Sequence, residues 1–372
     1  MMHQAWVEVD LDALRHNVTV LKRVAGPNTL VMPVIKANAY GHGLVGVAHA
    51  LAGRDDIWGF AVARGEEALL LRDFGVQEPI LTLGVPPVAG ITDLARHGVT
   101  IGVGDMVDIA SVKTQLADTD AEIDVHLKVD TGMCRMGVDT ALVPLVVEEL
   151  AEGPAHLRGI YSHFATAEEG DLDFAEEQLS AFRGVLEGLE GRDLVRHMAN
   201  SAGLCRVRES RFDVVRAGAI LYGVNPGVPA DEWPDVRPTL RFLARVAAVK
   251  RFPPGSTVGY GRRFEITRPS AIATILVGYA DGYPRQLSGK AEVLIRGKRA
   301  PVVGAVNMDS INVDVTDLGI EQPGDEVVLI GTQGDNAITV EELAERADTV
   351  VHEIPTRLGP RLPRVYLGKE PS

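Results

Sequence analysis

Between Leu30 and Tyr222, short apolar runs alternate eight times with segments of helical period, and this alternation limits the fold more than any other feature of the sequence. Strand-like runs fall at 30–35, 58–62, 79–83, 99–103, 123–129, 157–162, 194–198 and 212–216. Between them lie helical patterns such as 44–51, 65–74, 105–116, 140–150 and 172–189. Parallel strands need a long crossover, usually a helix, and eight such units over this length read as a closed (β/α)8 TIM-type barrel within the α/β class. Ahead of the repeat, 6–10 alternates like a short strand. Leu11, Leu14, Val18 and Leu21 then mark one face of a helix that starts at Asp10 or Asp12.

The character changes after Gly223. Residues 225–234 are rich in proline, and beyond them come short alternating runs at 239–251, 271–277, 291–295, 302–306, 311–315 and 326–330. Glycine and proline punctuate them, as in a β-domain, and one late helix is expected at 339–347. The expected division is therefore a barrel over 1–235 and a mainly-β C-terminal domain over 236–372, with the strand near 4–10 able to join the second domain.

A chain of 372 residues with 46% hydrophobic content can bury a barrel and a smaller domain. Its net charge of −14 argues against general affinity for nucleic acid or an anionic membrane, both of which want a basic face. The start lacks a basic segment followed by an apolar core, and no uncharged run reaches membrane-spanning length. The expectation is a cytoplasmic protein. Cys134 and Cys205 are too few for a disulfide framework and lack zinc-ligand spacing, so no metal is expected.

Lys36 closes the first apolar run, just before Tyr40-Gly41-His42-Gly43 and the 44–51 helix. An ammonium at the end of a buried strand must be paired, neutralised or used covalently, and a desolvated lysine is the usual Schiff-base nucleophile. A hydroxyl and free backbone N–H groups lie within a turn of it, which suits an amine-linked, anionic cofactor. The bland alternative is a lysine reaching to water. In a barrel the chemistry sits at the carboxyl ends of the strands. There this sequence places Lys128 and Arg135 where the fifth run ends, Ser162 and His163 where the sixth ends, His197 and Ser201 where the seventh ends, and Arg216 and Gly218 where the eighth ends. Ser201 and the Gly218-Ala219 backbone lie where barrels often bind phosphate.

The decapeptide from Val34 to Gly43 resembles the pyridoxal-phosphate lysine motif of alanine racemases. The resemblance extends over nearly the whole chain, through 128–137, 161–167, 197–203, 216–223, Gly259-Tyr260-Gly261, 278–282, Met308-Asp309 and 361–364. It implies interconversion of L- and D-alanine through a pyridoxal 5'-phosphate aldimine by two bases, supplying D-alanine for peptidoglycan, in a homodimer with shared sites. By the same resemblance Lys36 carries the cofactor, and Tyr40, Ser201, Gly218 and Ala219 hold its phosphate. His163 faces the pyridine ring and Arg216 contacts its nitrogen. Arg135 and Met308 meet the substrate, and Tyr260 is the second acid/base. Lys128 matches a lysine that many members hold as a carbamate. The sequence departs from the family pattern at Pro360, where many members have a phosphate-binding tyrosine, and at Ala305 and Asn307 before the Met-Asp pair. A broad-specificity amino-acid racemase and a non-catalytic carrier of the cofactor remain the alternative readings.

Overall fold

The computed structural model describes residues 3–84 and 89–368. The described chain divides into two compact units, one of Leu14–Ala39 and Leu44–Arg237, the other of residues 3–13, Tyr40–Gly43 and residues 238–368.

In the first unit the strands are Leu30–Pro33, Phe60–Val62, Ile80–Thr82, Thr100–Val103, Ile123–Asp130, Ala155–Tyr161, Val195–His197 and Val214–Ala217. The second to the seventh form a parallel sheet in chain order. The eighth pairs with the first, Val214 opposite Leu30, and single bridges Val31–Ile57 and Val34–Ala61 join the first to the second. Backbone bonds from Arg216 N–H to Ala199 O (3.0 Å) and from Asp213 N–H to Arg196 O (3.1 Å) complete the ring. The eight expected strands are thus present as a barrel.

Helices cover it by burying one face each. Leu14, Val18 and Leu21 of the helix Leu11–Ala25 are fully buried, and Asp10 caps its start by accepting from Ala13 N–H at 2.8 Å. Several boundaries shift by one or two residues from the expected ranges, and at two places the local reason is plain. The second strand begins at Phe60 because Gly59 sits at φ +147° with the place of its missing Cβ 2.2 Å from Pro79 O. The segment expected as one helix over 140–150 splits into a 3-10 turn, Thr140–Leu142, and a helix, Val143–Glu149, since Pro144 has no N–H to continue the ladder.

The second unit is built on the long strand Leu240–Phe252, which pairs antiparallel with Ala5–Asp10, Ser270–Ile275 and Glu326–Gln333. The strand Ala5–Asp10 also pairs in parallel with Arg364–Leu367, so the first and last described strands lie side by side in this sheet. The late helix is Val340–Ala347, capped by Thr339, whose hydroxyl accepts from Glu342 N–H at 3.1 Å. A two-residue hairpin, Thr257–Val258 against Phe264–Glu265, carries Tyr260 at its tip. No described helix is long and apolar enough to cross a membrane.

Candidate active site

Lys36 follows the first barrel strand and is partly buried. Burial lowers the pKa of its amine, the guanidinium charges of Arg135 and Arg216 push the same way, and the Glu67 carboxylate opposes them. The turn that follows is not an ordinary helical turn. Ala37, Asn38, Ala39 and Tyr40 have φ of 54°, 56°, 53° and 50°, a left-handed turn without a glycine. For L-residues this conformation costs roughly 1–2 kcal/mol each, so other groups must hold it. Ala39 N–H donates to Ile35 O (2.7 Å), Ala37 N–H to Glu67 Oε1 (2.7 Å), and Leu44 N–H to Asn38 Oδ1 (2.9 Å).

Within the second unit Arg364 Nε donates to Gly41 O at 2.9 Å, and a Cβ on Gly41 would stand 2.0 Å from Pro355 O. Gly41→Ala is therefore expected to lower the thermal midpoint by several degrees more than Gly53→Ala. Both glycines have positive φ, but nothing lies within 4 Å of a Cβ on Gly53. Equal midpoints by calorimetry would show that the chain yields at Pro355.

Arg216, only 3% exposed, organises the barrel mouth. Its guanidinium donates to Ser162 O (2.7 Å), Met198 O (2.9 Å), His163 Nδ1 (3.0 Å) and His197 Nδ1 (2.9 Å), all neutral acceptors. Arginine only donates, so both histidines accept at Nδ1 and, when neutral, carry their hydrogen on Nε2. Burial and Arg216 hold both imidazoles well below their ordinary pKa, and they are neutral. His197 Nε2 then donates to His126 Nδ1 at 2.9 Å, which fixes a third tautomer. The Tyr161 ring stacks on His197 at 4.8 Å and lies 5.4 Å from the guanidinium carbon.

Lys128, 5% exposed, sits 5.0 Å from the same Tyr161 ring. Burial, Arg216 and Arg135 bring its amine down to about 7, with Asp130 opposing. His163 feels Arg216, Lys128, Arg135 and Lys36 in that order, so these sequence-predicted residues share one neighbourhood. Ser201 is buried, and its hydroxyl accepts from Gly218 N–H (3.2 Å) and Ile220 N–H (3.3 Å). Ala219, between these two donors, opens the 3-10 turn Ala219–Tyr222 and is buried.

Four residues of this neighbourhood received no role from the sequence: Glu67, His126, Tyr161 and Gln178. Gln178, fully buried on the helix Asp173–Glu187, donates to His163 O (3.1 Å) and accepts from Ala165 N–H (2.9 Å), which sets the loop bearing His163. Its signal was an amide on the apolar stripe of Ala175, Leu179 and Phe182. His126 also had one. The fifth strand alternates Asp124, His126, Lys128 and Asp130 with apolar residues, whereas a barrel strand covered on both faces reads as a continuous apolar run.

In the second unit Tyr40 is buried, and burial pushes its phenol up to about 12. Tyr260 is 78% exposed and Met308 54% exposed on this chain. Gly278 leaves room for the Met308 loop. A Cβ there would meet Asn307 O at 2.3 Å and Met308 O at 2.4 Å, and Asp309 pairs with Arg361 at 2.8 Å.

Two family models match this chain: "Alanine racemase, N-terminal domain" over residues 9–226 and "Alanine racemase, C-terminal domain" over 239–366. The chain belongs to the alanine racemase family. It is 40% identical over 365 residues to alanine racemase 1 of Caldanaerobacter subterraneus subsp. tengcongensis, covering 97% of this chain and 94% of that one. With the enzyme of Symbiobacterium thermophilum it shares 41% over 373 residues, 99% and 98% of the two chains. Among solved structures, the alanine racemase of D-cycloserine-producing Streptomyces lavendulae superposes with a TM-score of 0.92 at 36% identity, covering 99% and 98%. That of Bacillus anthracis with bound L-Ala-P gives 0.92 at 34%, covering 100% and 97%. Alanine racemases are pyridoxal-phosphate isomerases. The barrel mouth fits that cofactor: an amine of lowered pKa, a serine hydroxyl with two backbone amides, and a buried guanidinium whose partners are all neutral.

Proposed function

We propose that this racemase interconverts L- and D-alanine with Lys36 and Tyr260 as the two acid/base groups. The observation that carries the reading is Arg216, buried and, among the described residues, donating only to neutral acceptors. Pyridoxal phosphate, when bound, supplies an electron-withdrawing ring that acidifies the α-hydrogen of an attached amino acid. Placed at the ring nitrogen, Arg216 can donate but not accept and holds that atom without a proton. With Arg216 there, charge would be drawn only weakly into the ring, and prompt return of a proton by the chain's own groups would be favoured over transamination or decarboxylation. Lys36 fixes the cofactor through its amine, and Tyr40, Ser201 and the Gly218 and Ala219 amides hold the phosphate. His163 faces the ring, while Arg135 and the Met308 backbone hold the substrate. Lys36 and Tyr260 take and return the proton on opposite faces of the α-carbon.

Lys128 is the carbamylated lysine in this reading. With its pKa near 7, a sizeable fraction of the amine is neutral and open to carbon dioxide, releasing one proton and leaving a negative charge beside Arg135. The exposed Tyr260 tip supports a homodimer in which one subunit's tyrosine completes the other's site. The enzyme works in the cytoplasm and supplies D-alanine to peptidoglycan.

Loss of optical rotation of L-alanine by the holoenzyme is the direct test, and a parallel assay on L-serine detects broader specificity. Mixing Lys36→Ala chains with Tyr260→Phe chains, each inactive alone, is expected to restore one intact site per heterodimer. No recovered activity after verified subunit exchange would sink the shared site.

A further inference from the structure

We infer that Glu67 is a positioning residue for the cofactor lysine, tying down the left-handed turn after Lys36 while setting a negative charge beside its amine. The inference rests on Lys36 being the cofactor-bearing residue. One carboxylate serves three backbone donors on two loops. Glu67 Oε1 accepts from Ala37 N–H at 2.7 Å, and Oε2 accepts from Ala63 N–H at 2.9 Å and Arg64 N–H at 3.2 Å. Glu67 lies in the first turn of the helix Gly65–Asp73, so the loop after the first barrel strand is fastened to the helix after the second.

Ala37 begins the run of four non-glycine residues at φ 50–56°, and the Glu67 bond lies at the residue next to Lys36. Without it the run loses its first anchor, and the direction of the Lys36 side chain loses definition. The charge is the second part. Arg135 and Arg216 favour the neutral amine, His163 beside them is itself neutral, and Glu67 is the carboxylate that opposes them. A glutamine of the same size keeps the volume, removes that charge, and turns an NH2 toward backbone donors that need an acceptor.

The test uses the full-length enzyme and two readouts. The first is the rate at which pyridoxal phosphate leaves the holoenzyme on dilution. The second is the pH midpoint for labelling of Lys36 in the cofactor-stripped chain by an amine reagent, read by peptide mass spectrometry. Glu67→Gln is expected to release cofactor about tenfold faster, as for loss of a hydrogen bond to a charged group, and to move the Lys36 midpoint to lower pH. Glu67→Asp keeps the charge on a shorter arm, so release quickens while the midpoint stays closer to wild type. Adding Ala37→Gly to Glu67→Gln should restore retention, because glycine adopts this conformation without strain, but not the midpoint. Wild-type release and midpoint in Glu67→Gln would overturn the inference. If Glu67→Gln does not fold, unchanged release in Glu67→Asp overturns the anchoring role. Failure of the underlying reading looks different: Lys36→Ala would then retain the cofactor covalently whatever stands at 67.

Discussion

Lys36→Ala is expected to abolish racemisation, by roughly 10⁴-fold or more, since it removes both the covalent attachment point and one of two proton-transfer groups. The result discriminates because the barrel holds a second amine of lowered pKa. Lys128 is the more buried of the two and is brought down to about 7. The choice between them rests on Lys36 following the first strand at the mouth, next to a turn held in a strained conformation. Borohydride treatment of the holoenzyme followed by peptide mapping should place the label on the peptide containing Lys36, and Lys128→Ala should leave that label in place. A label on the Lys128 peptide, or persisting in Lys36→Ala, would reverse the assignment. Lys36→Arg should be as inactive as Lys36→Ala, because a guanidinium keeps its charge but neither condenses with an aldehyde nor gives up its proton.

Tyr260→Phe carries the second large effect, and its value lies in asymmetry. With two bases on opposite faces, a hydrogen removed by one is not the hydrogen delivered by the other. In deuterated solvent, newly formed D-alanine should therefore carry little of the hydrogen of L-alanine. One base swinging across the ring would return part of it. Tyr260 is assigned the proton of L-alanine and Lys36 that of D-alanine. The variant should then lose about 10²–10⁴-fold in racemisation while still exchanging the α-hydrogen of D-alanine with solvent. Proton NMR of the α-position in each enantiomer reads this directly. Faster exchange from L- than from D-alanine in Tyr260→Phe, or substantial internal transfer in the wild type, would overturn the assignment.

Much of the barrel was legible because its signals are local. Eight strands and their helices appear as short-period patterns; their ends shift by a few residues from the expected ranges, as where 212–216 becomes Val214–Ala217, and at Gly59 and Pro144 the shift has its own backbone chemistry. The lysine was legible for a similar reason: a charge at the end of an apolar run is anomalous within ten residues of chain. Short edge strands such as Asn336–Ile338 and Arg364–Leu367 were not legible, since three or four residues carry too little pattern.

The sequence by itself determined the βα repeat, the change to a β-rich second half, and the candidate groups at the strand ends, because hydrophobic period and residue chemistry are written along the chain. Only the tertiary structure decided how those groups act on one another. Glu67 reaches Ala37 across 30 positions, Arg216 reaches His163 across 53, and His197 reaches His126 across 71. A left-handed turn without glycine, three fixed tautomers and two amines held below their ordinary pKa follow from those approaches. No local pattern encodes them, because the forces responsible, burial and the nearness of unlike elements, exist only after the barrel has closed.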